Sequence, residues 1–309
     1  MSGKSRNPEK PYNKLTVGIA PDSWGVWFPE DDKQVNWQTF LDEVAEAGYE
    51  VIETGPFGFL PTDPGVLQAE CTKRGIRVVA GTQFGILHRP EAWEQTEREM
   101  RANASVLKAI GAHHLVYLPP MLRDLQTGGW AEDPNLSDAD WKLLAGNANR
   151  LGKLLKEDYD VTMVVHPHGD SHIENREQID RFFAETDPEY VSFCLDTGHL
   201  EYGEVDTVDL IRSYPDRIGL VHIKQMDPEV VQRVRRENLS FGEAVSLGVC
   251  VTPDAGQPKV GAVIDALAAL DKELYVIVEQ DLYPCAPDVP LPLAIETRRV
   301  LADNHLGIH

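Results

Sequence analysis

Positive charge is what this sequence has least of. Its 309 residues hold 29 Lys and Arg against 50 Asp and Glu, a formal net charge of −21 at pH 7. A chain that binds nucleic acid needs a basic footprint to displace phosphate counterions. The densest basic run, Arg233, Arg235 and Arg236 around Val234, falls in an amphipathic pattern and reads as a solvated face. The four cysteines, Cys71, Cys194, Cys250 and Cys285, form no CxxC pair, which argues against a thiolate metal site and a disulfide framework. No apolar stretch approaches the ~20 residues of a membrane span. The polar residues 1–13 lack the apolar centre of a signal peptide. A glycine-rich phosphate loop after an early strand is also missing, so a doubly wound dinucleotide fold is disfavoured. These absences predict a cytoplasmic protein with neither nucleic acid nor membrane as partner.

What is present is a regular alternation. Short apolar runs rich in Val and Ile lie at 15–20, 50–54, 77–82, 114–118, 161–166, 191–196, 218–223 and 274–279. They are too short for buried helices and apolar on both faces, as strands covered on both sides should be. Helix-period segments separate them, and Gly48, Gly75 and Gly111 stand where left-handed C-terminal caps are expected. Eight strands alternating with helices predict a single (β/α)8 TIM barrel over 15–309, preceded by a flexible tail over 1–14. Two connections are long, 225–260 and 281–290. In a barrel both lie on the C-terminal face, where they would wall the site.

Polar residues gather at the predicted strand ends. Strand two ends in Glu53, strand five in His166-Pro167-His168, and strand six in Asp196-Thr197-Gly198-His199; strand seven closes on His222-Ile223-Lys224 and strand eight on Glu279-Gln280-Asp281. Residues two apart share a face, so His166 pairs with His168, His222 with Lys224, and Glu279 with Asp281. Carboxylates brought that close would repel one another, and a divalent cation resolves the conflict. The mixed nitrogen and oxygen set suits Mn2+ first, with Co2+ or Zn2+ as alternatives. The expected ligands are His168, Asp196, His222 and Glu279. Glu279, His199, Lys224 and Glu174 are the candidate catalytic groups. Trp24, Glu53, His88, His166 and Gln280 are the candidate substrate contacts.

The motifs Val-Val-His166-Pro-His168-Gly, Leu-Asp196-Thr-Gly-His199, Val-His222-Ile-Lys224 and Val-Glu279-Gln280 resemble the sugar isomerase/epimerase family of xylose-isomerase-type barrels, and within it the inosose dehydratases. The resemblance runs from Gly18-Ile-Ala-Pro21 almost to the C-terminus. It implies divalent metal at Asp196, His222, Glu279 and a strand-five residue, with His199 and Lys224 facing substrate. Two departures stand out. His168 occupies a position where the epimerase branch carries glutamate, and 253–258 differs from the Gly-x-Gly loop of the dehydratases. The implied reaction is α-proton abstraction and β-elimination on a small neutral polyol ketone or keto-sugar. The catalytic subunits of 3-oxo-C-glycoside deglycosidases, which work with a small second subunit, and sugar isomerases remain alternatives, as does a homo-oligomer. The surplus of acidic residues argues against an anionic phosphorylated substrate.

Overall fold

The computed structural model describes residues 12–125 and 127–307. Eight parallel strands close into a barrel: β1 (Leu15–Ile19), β2 (Val51–Pro56), β3 (Arg77–Phe84), β4 (His114–Leu118), β5 (Thr162–Val165), β6 (Val191–Asp196), β7 (Ile218–Ile223) and β8 (Leu274–Val278). Each strand pairs with its neighbour in sequence, and β8 closes on β1 from Leu15 opposite Leu274 to Ile19 opposite Val278. The expected strands are all found, with ends shifted by two residues at most. Of the stretch expected as a tail, residues 1–11 lie outside the described residues. Tyr12–Lys14 form a 3-10 turn, with the Tyr12 hydroxyl donating to Asp265 at 2.5 Å.

Helices pack around the barrel where the punctuation placed them. Asn36, Asp63 and Ser137 cap Trp37–Glu46, Pro64–Thr72 and Asp138–Tyr159, each side chain accepting from a backbone N–H three residues on. Gly111, at φ +74°, ends Trp93–Ile110 in the left-handed conformation that glycine adopts without strain. No helix among the described residues is long and apolar enough to cross a membrane.

Two of the three buried apolar clusters among the described residues belong to the barrel, and the third packs under the connection after β7 around Met226, Val231 and Phe241. The larger of the barrel pair lies between the strands and the helices. The smaller contains Ala20, Val51, Ala80, Val116, Val164, Cys194, Leu220 and Ile277. One such residue comes from each strand or its immediate end, so this set plugs the barrel lumen. Two residues further along each strand the alternation returns to the lumen. Those positions are Asp22, Glu53, Thr82, Leu118, His166, Asp196, His222 and Glu279. An apolar plug thus carries a polar ring at the C-terminal mouth.

The long connection after β7 is more structured than its sequence suggests. Gln225–Met226 pairs antiparallel with Cys250–Val251. The amphipathic run with Arg233, Arg235 and Arg236 lies in the helix Pro228–Glu237, and a second helix, Phe241–Ser246, opens on a Ser240–Glu243 capping box. That second helix brings Phe241 over the mouth.

Candidate active site and metal centre

β5 to β8 deliver the donor atoms. His166, Asp196, His222 and Glu279 are buried, and one potential ligand atom from each lies within 4.8 Å of all the others. His166 Nε2 stands 3.3 Å from Asp196 Oδ2, and His222 Nδ1 stands 3.1 Å from Glu279 Oε2. The Nδ1 atoms of His166 and His222 are buried without a directed hydrogen bond. The orphaned His222 Nδ1 and the His166 Nε2, set beside the Asp196 and Glu279 carboxylates, form a donor set that fits a divalent ion.

The strand-five residue in this cluster is His166, not the expected His168. Both have the same strand parity, but the chain turns out of the barrel at Pro167. The His168 ring then stacks on His199 with centroids 3.7 Å apart, and its Nδ1 is tied to the Gly169 carbonyl at 2.7 Å. Burial, with His166 and Lys224 nearby, pushes its pKa down to about 3, so it is a neutral wall of the pocket.

Behind the cluster stands Glu53. Its Oε2 lies 2.9 Å from His222 Nε2, and its Oε1 accepts from the Thr82 hydroxyl. A carboxylate on the outer nitrogen fixes the ring so that Nδ1 faces the donor cluster. Glu53, expected at the substrate, lies behind the pocket lining and holds His222 instead. Cys194 lies below, its thiol pushed up to about 12 by burial, with His222 opposing; it stays protonated.

Beside the cluster Lys224 Nζ lies 2.7 Å from Asp281 Oδ2, 2.9 Å from Glu279 Oε2 and 3.4 Å from Asp196 Oδ2. Burial opposes the ammonium charge, but Asp196, Asp281 and Glu279 outweigh it and hold the pKa well above the usual lysine range. Burial likewise opposes charge on Glu279, and His222 and Lys224 outweigh it to keep the carboxyl ionised. His199 reaches the same point through Nε2, 3.1 Å from Lys224 Nζ, while its Nδ1 accepts from the Gly169 N–H at 3.0 Å. Burial, then His168 and Lys224, hold His199 neutral. The Asp196 side chain also caps the short helix Thr197–Tyr202 by accepting from the His199 N–H at 2.8 Å. The cap uses Oδ1, which leaves Oδ2 facing His166 and Lys224.

Four more expected residues lie outside the pocket lining. Trp24 is buried against Phe40 and its indole N–H donates to Glu43 at 2.6 Å, because the 3-10 turn Pro21–Trp24 rotates it toward the helix layer. Trp27 lines the pocket instead. His88 is held by Glu132, with its Nε2 3.4 Å from the carboxylate, and packs on His172 outside the pocket. Glu174 is crowded by Asp170 in a separate cluster with Arg235, where burial pushes its pKa up to about 7. Gln280 is buried behind the mouth, with its backbone N–H donating to the Ser23 hydroxyl at 3.1 Å.

Two pocket carboxyls escaped the sequence reading of roles. Asp22 lines the pocket on the turn after β1, and burial together with Glu279 and Asp281 raises its pKa well above the carboxylate range. Asp281 clamps Lys224 with one oxygen and accepts from the Trp27 indole N–H at 2.8 Å with the other. Strand parity was the signal that could have found both.

Comparison with known proteins agrees with this architecture. The chain is 30% identical over 296 residues to an inosose dehydratase of Geobacillus thermodenitrificans, covering 94% of this chain and 98% of the relative. An inosose dehydratase of Clostridium tetani is also 30% identical, with the same coverage of both. Among solved structures, the IolI protein with a bound zinc atom superposes with a TM-score of 0.72 at 16% identity, covering 94% of this chain and 98% of that one. The 3-keto-D-glucoside 4-epimerase YcjR of E. coli gives 0.66 at 17% identity, with the same coverage. Residues 41–300, from the first helix to the last, match the model of one family, and the closed parallel barrel has the architecture which that model describes: the chain belongs to the xylose isomerase-like TIM barrel family.

Proposed function

We propose that the protein is a divalent-metal-dependent lyase that removes water from a keto-cyclitol or keto-sugar by α-proton abstraction and β-elimination. The observation that carries this reading is the juxtaposition of four metal-capable donors with the Lys224–His199 pair at one end of the cavity. Near full-length similarity to proteins named inosose dehydratase supports an enzyme acting on sugars. The ion, Mn2+ in this reading, would be held by His166, Asp196, His222 and Glu279, and when bound it supplies Lewis-acid stabilisation of negative charge on a substrate carbonyl oxygen.

The chain's own groups divide the remaining work. Glu279, ionised at neutral pH, is the base that takes the acidified α-proton. The Lys224 ammonium faces the same point and stabilises the developing enolate oxygen. His199, with Nδ1 occupied by the Gly169 N–H, presents Nε2 to a substrate hydroxyl. Asp22, whose carboxyl is pushed well above the usual range by burial and then by Glu279 and Asp281, is a proton donor for the departing hydroxyl. Glu53 keeps His222 oriented.

The test is to incubate the Mn2+-loaded protein with keto-inositol and to weigh the product. Loss of one water supports the lyase reading; an isomass product overturns it in favour of an isomerase. Glu279→Gln should lower turnover by at least about 1,000-fold with an unchanged circular dichroism spectrum. Wild-type turnover in that variant would overturn the assignment of the site.

A further inference from the structure

We propose that the substrate is a keto-sugar bearing an apolar, planar substituent, rather than a bare polyol ketone. This deepens the reading above and rests on it. The cavity lies at the C-terminal mouth of the barrel and opens to solvent. The polar cluster makes up only part of its lining. Trp27, Phe84, Leu118, Met121, Leu125 and Phe241 make up an apolar wall that adjoins it.

Hydroxyls project all round a polyol ring, and those turned to this wall would lose water without gaining a partner. An aromatic or alkyl group gains there what a hydroxyl loses. The wall is also held firmly in place. The Trp27 indole is anchored by its N–H on Asp281 and stacked on Tyr283 with centroids 5.0 Å apart and planes 24° apart. Phe241 contacts the His199 and His168 rings at 4.8 and 4.9 Å. An apolar group joined to the reacting sugar would therefore meet the wall without leaving the chemistry. Phe84, at the rim, is 40% exposed, a large apolar surface at a mouth that a ligand would cover.

Binding and turnover test this separately. Equilibrium binding of phenyl β-glucoside and methyl β-glucoside to the Mn2+-loaded full chain, followed by tryptophan fluorescence, should favour the phenyl compound at least about tenfold. Phe84→Ser and Met121→Gln should each shrink that preference at least about threefold. Equal affinities in the wild type would overturn the proposal whatever the enzyme's reaction. Turnover of the phenyl and methyl 3-keto-glucosides then separates the two claims. Methyl 3-keto-glucoside and keto-inositol consumed with no phenyl preference would sink the substituent and leave the lyase reading standing. A phenyl preference in binding with no keto-sugar consumed would sink the lyase reading and leave the wall's role intact.

Discussion

The mouth of the barrel is built of two unlike halves. From β5 round to β8 it presents His166, Asp196, His222, Lys224, Glu279 and Asp281, all buried and linked in one chain of polar contacts. From β3 and β4 and the loop that follows, it presents Phe84, Leu118, Met121 and Leu125, which make no ion pair. Both halves stand on the same apolar plug and the same backbone ladder. A regular barrel thus offers equivalent positions, and the side chains alone decide which arc does chemistry and which gives shape. Glu53 joins the halves, since it comes from β2 and reaches across to His222.

The sharpest way to break that contrast is within the polar half. His166→Ala should weaken metal affinity by about 100-fold or more, whereas His168→Ala should keep the metal content and change only substrate affinity. Elemental analysis after dialysis checks this, and metal loss in His168→Ala alone would reverse the ligand assignment. Next comes the bridge: Glu53→Gln should cost about 10- to 100-fold in metal affinity, because His222 loses the carboxylate that orients it. Titration with Mn2+ measures it.

Outside the mouth the effects should fall on stability and spare catalysis. Trp24→Phe removes the hydrogen bond to Glu43 and some packing on Phe40, a loss of about 1–3 kcal/mol in denaturant unfolding, with KM unchanged. A changed KM would return Trp24 to the pocket. The smallest effect concerns Glu174, whose pKa rises from 4.5 to about 7 on folding. The folded state binds the extra proton, so this group's stabilising contribution is complete below about 4.5, declines as pH rises and is gone above about 7. Glu174→Gln should match the wild type near pH 4 and be more stable by about 1 kcal/mol at pH 5. Thermal melts at both pH values read the difference.

Much of this was legible in the residues because barrel strands carry their information in a two-residue period. Val164 and His166, Leu220 and His222, or Ile277 and Glu279 reveal plug and ring from the chain alone. Period could not choose between His166 and His168, which share it; the choice depends on where Pro167 takes the backbone out of the ladder. Trp24 was lost to the same limit, since a 3-10 turn breaks the alternation three residues after Pro21 begins it. His88 and Glu174 lie on connections after β3 and β5, and their partners Glu132, Asp170 and Arg235 come from loops and helices whose meeting no local pattern encodes. Phe241 reached the pocket on a helix embedded in a long connection, where sequence shows only a capping box.

The junction of β6 and β7 has a practical meaning for anyone who would evolve this protein. The Thr197 hydroxyl accepts from the Lys224 N–H at 2.9 Å and donates to the Lys224 carbonyl at 2.6 Å. A Cβ added at Gly198 would lie 2.5 Å from Lys224 Cγ and 2.8 Å from its Cβ. Any side chain at 198 must therefore push Lys224 off its three carboxylates. A randomised library across the mouth can expect variety at Phe84 or Met121, while position 198 should return glycine from every active clone.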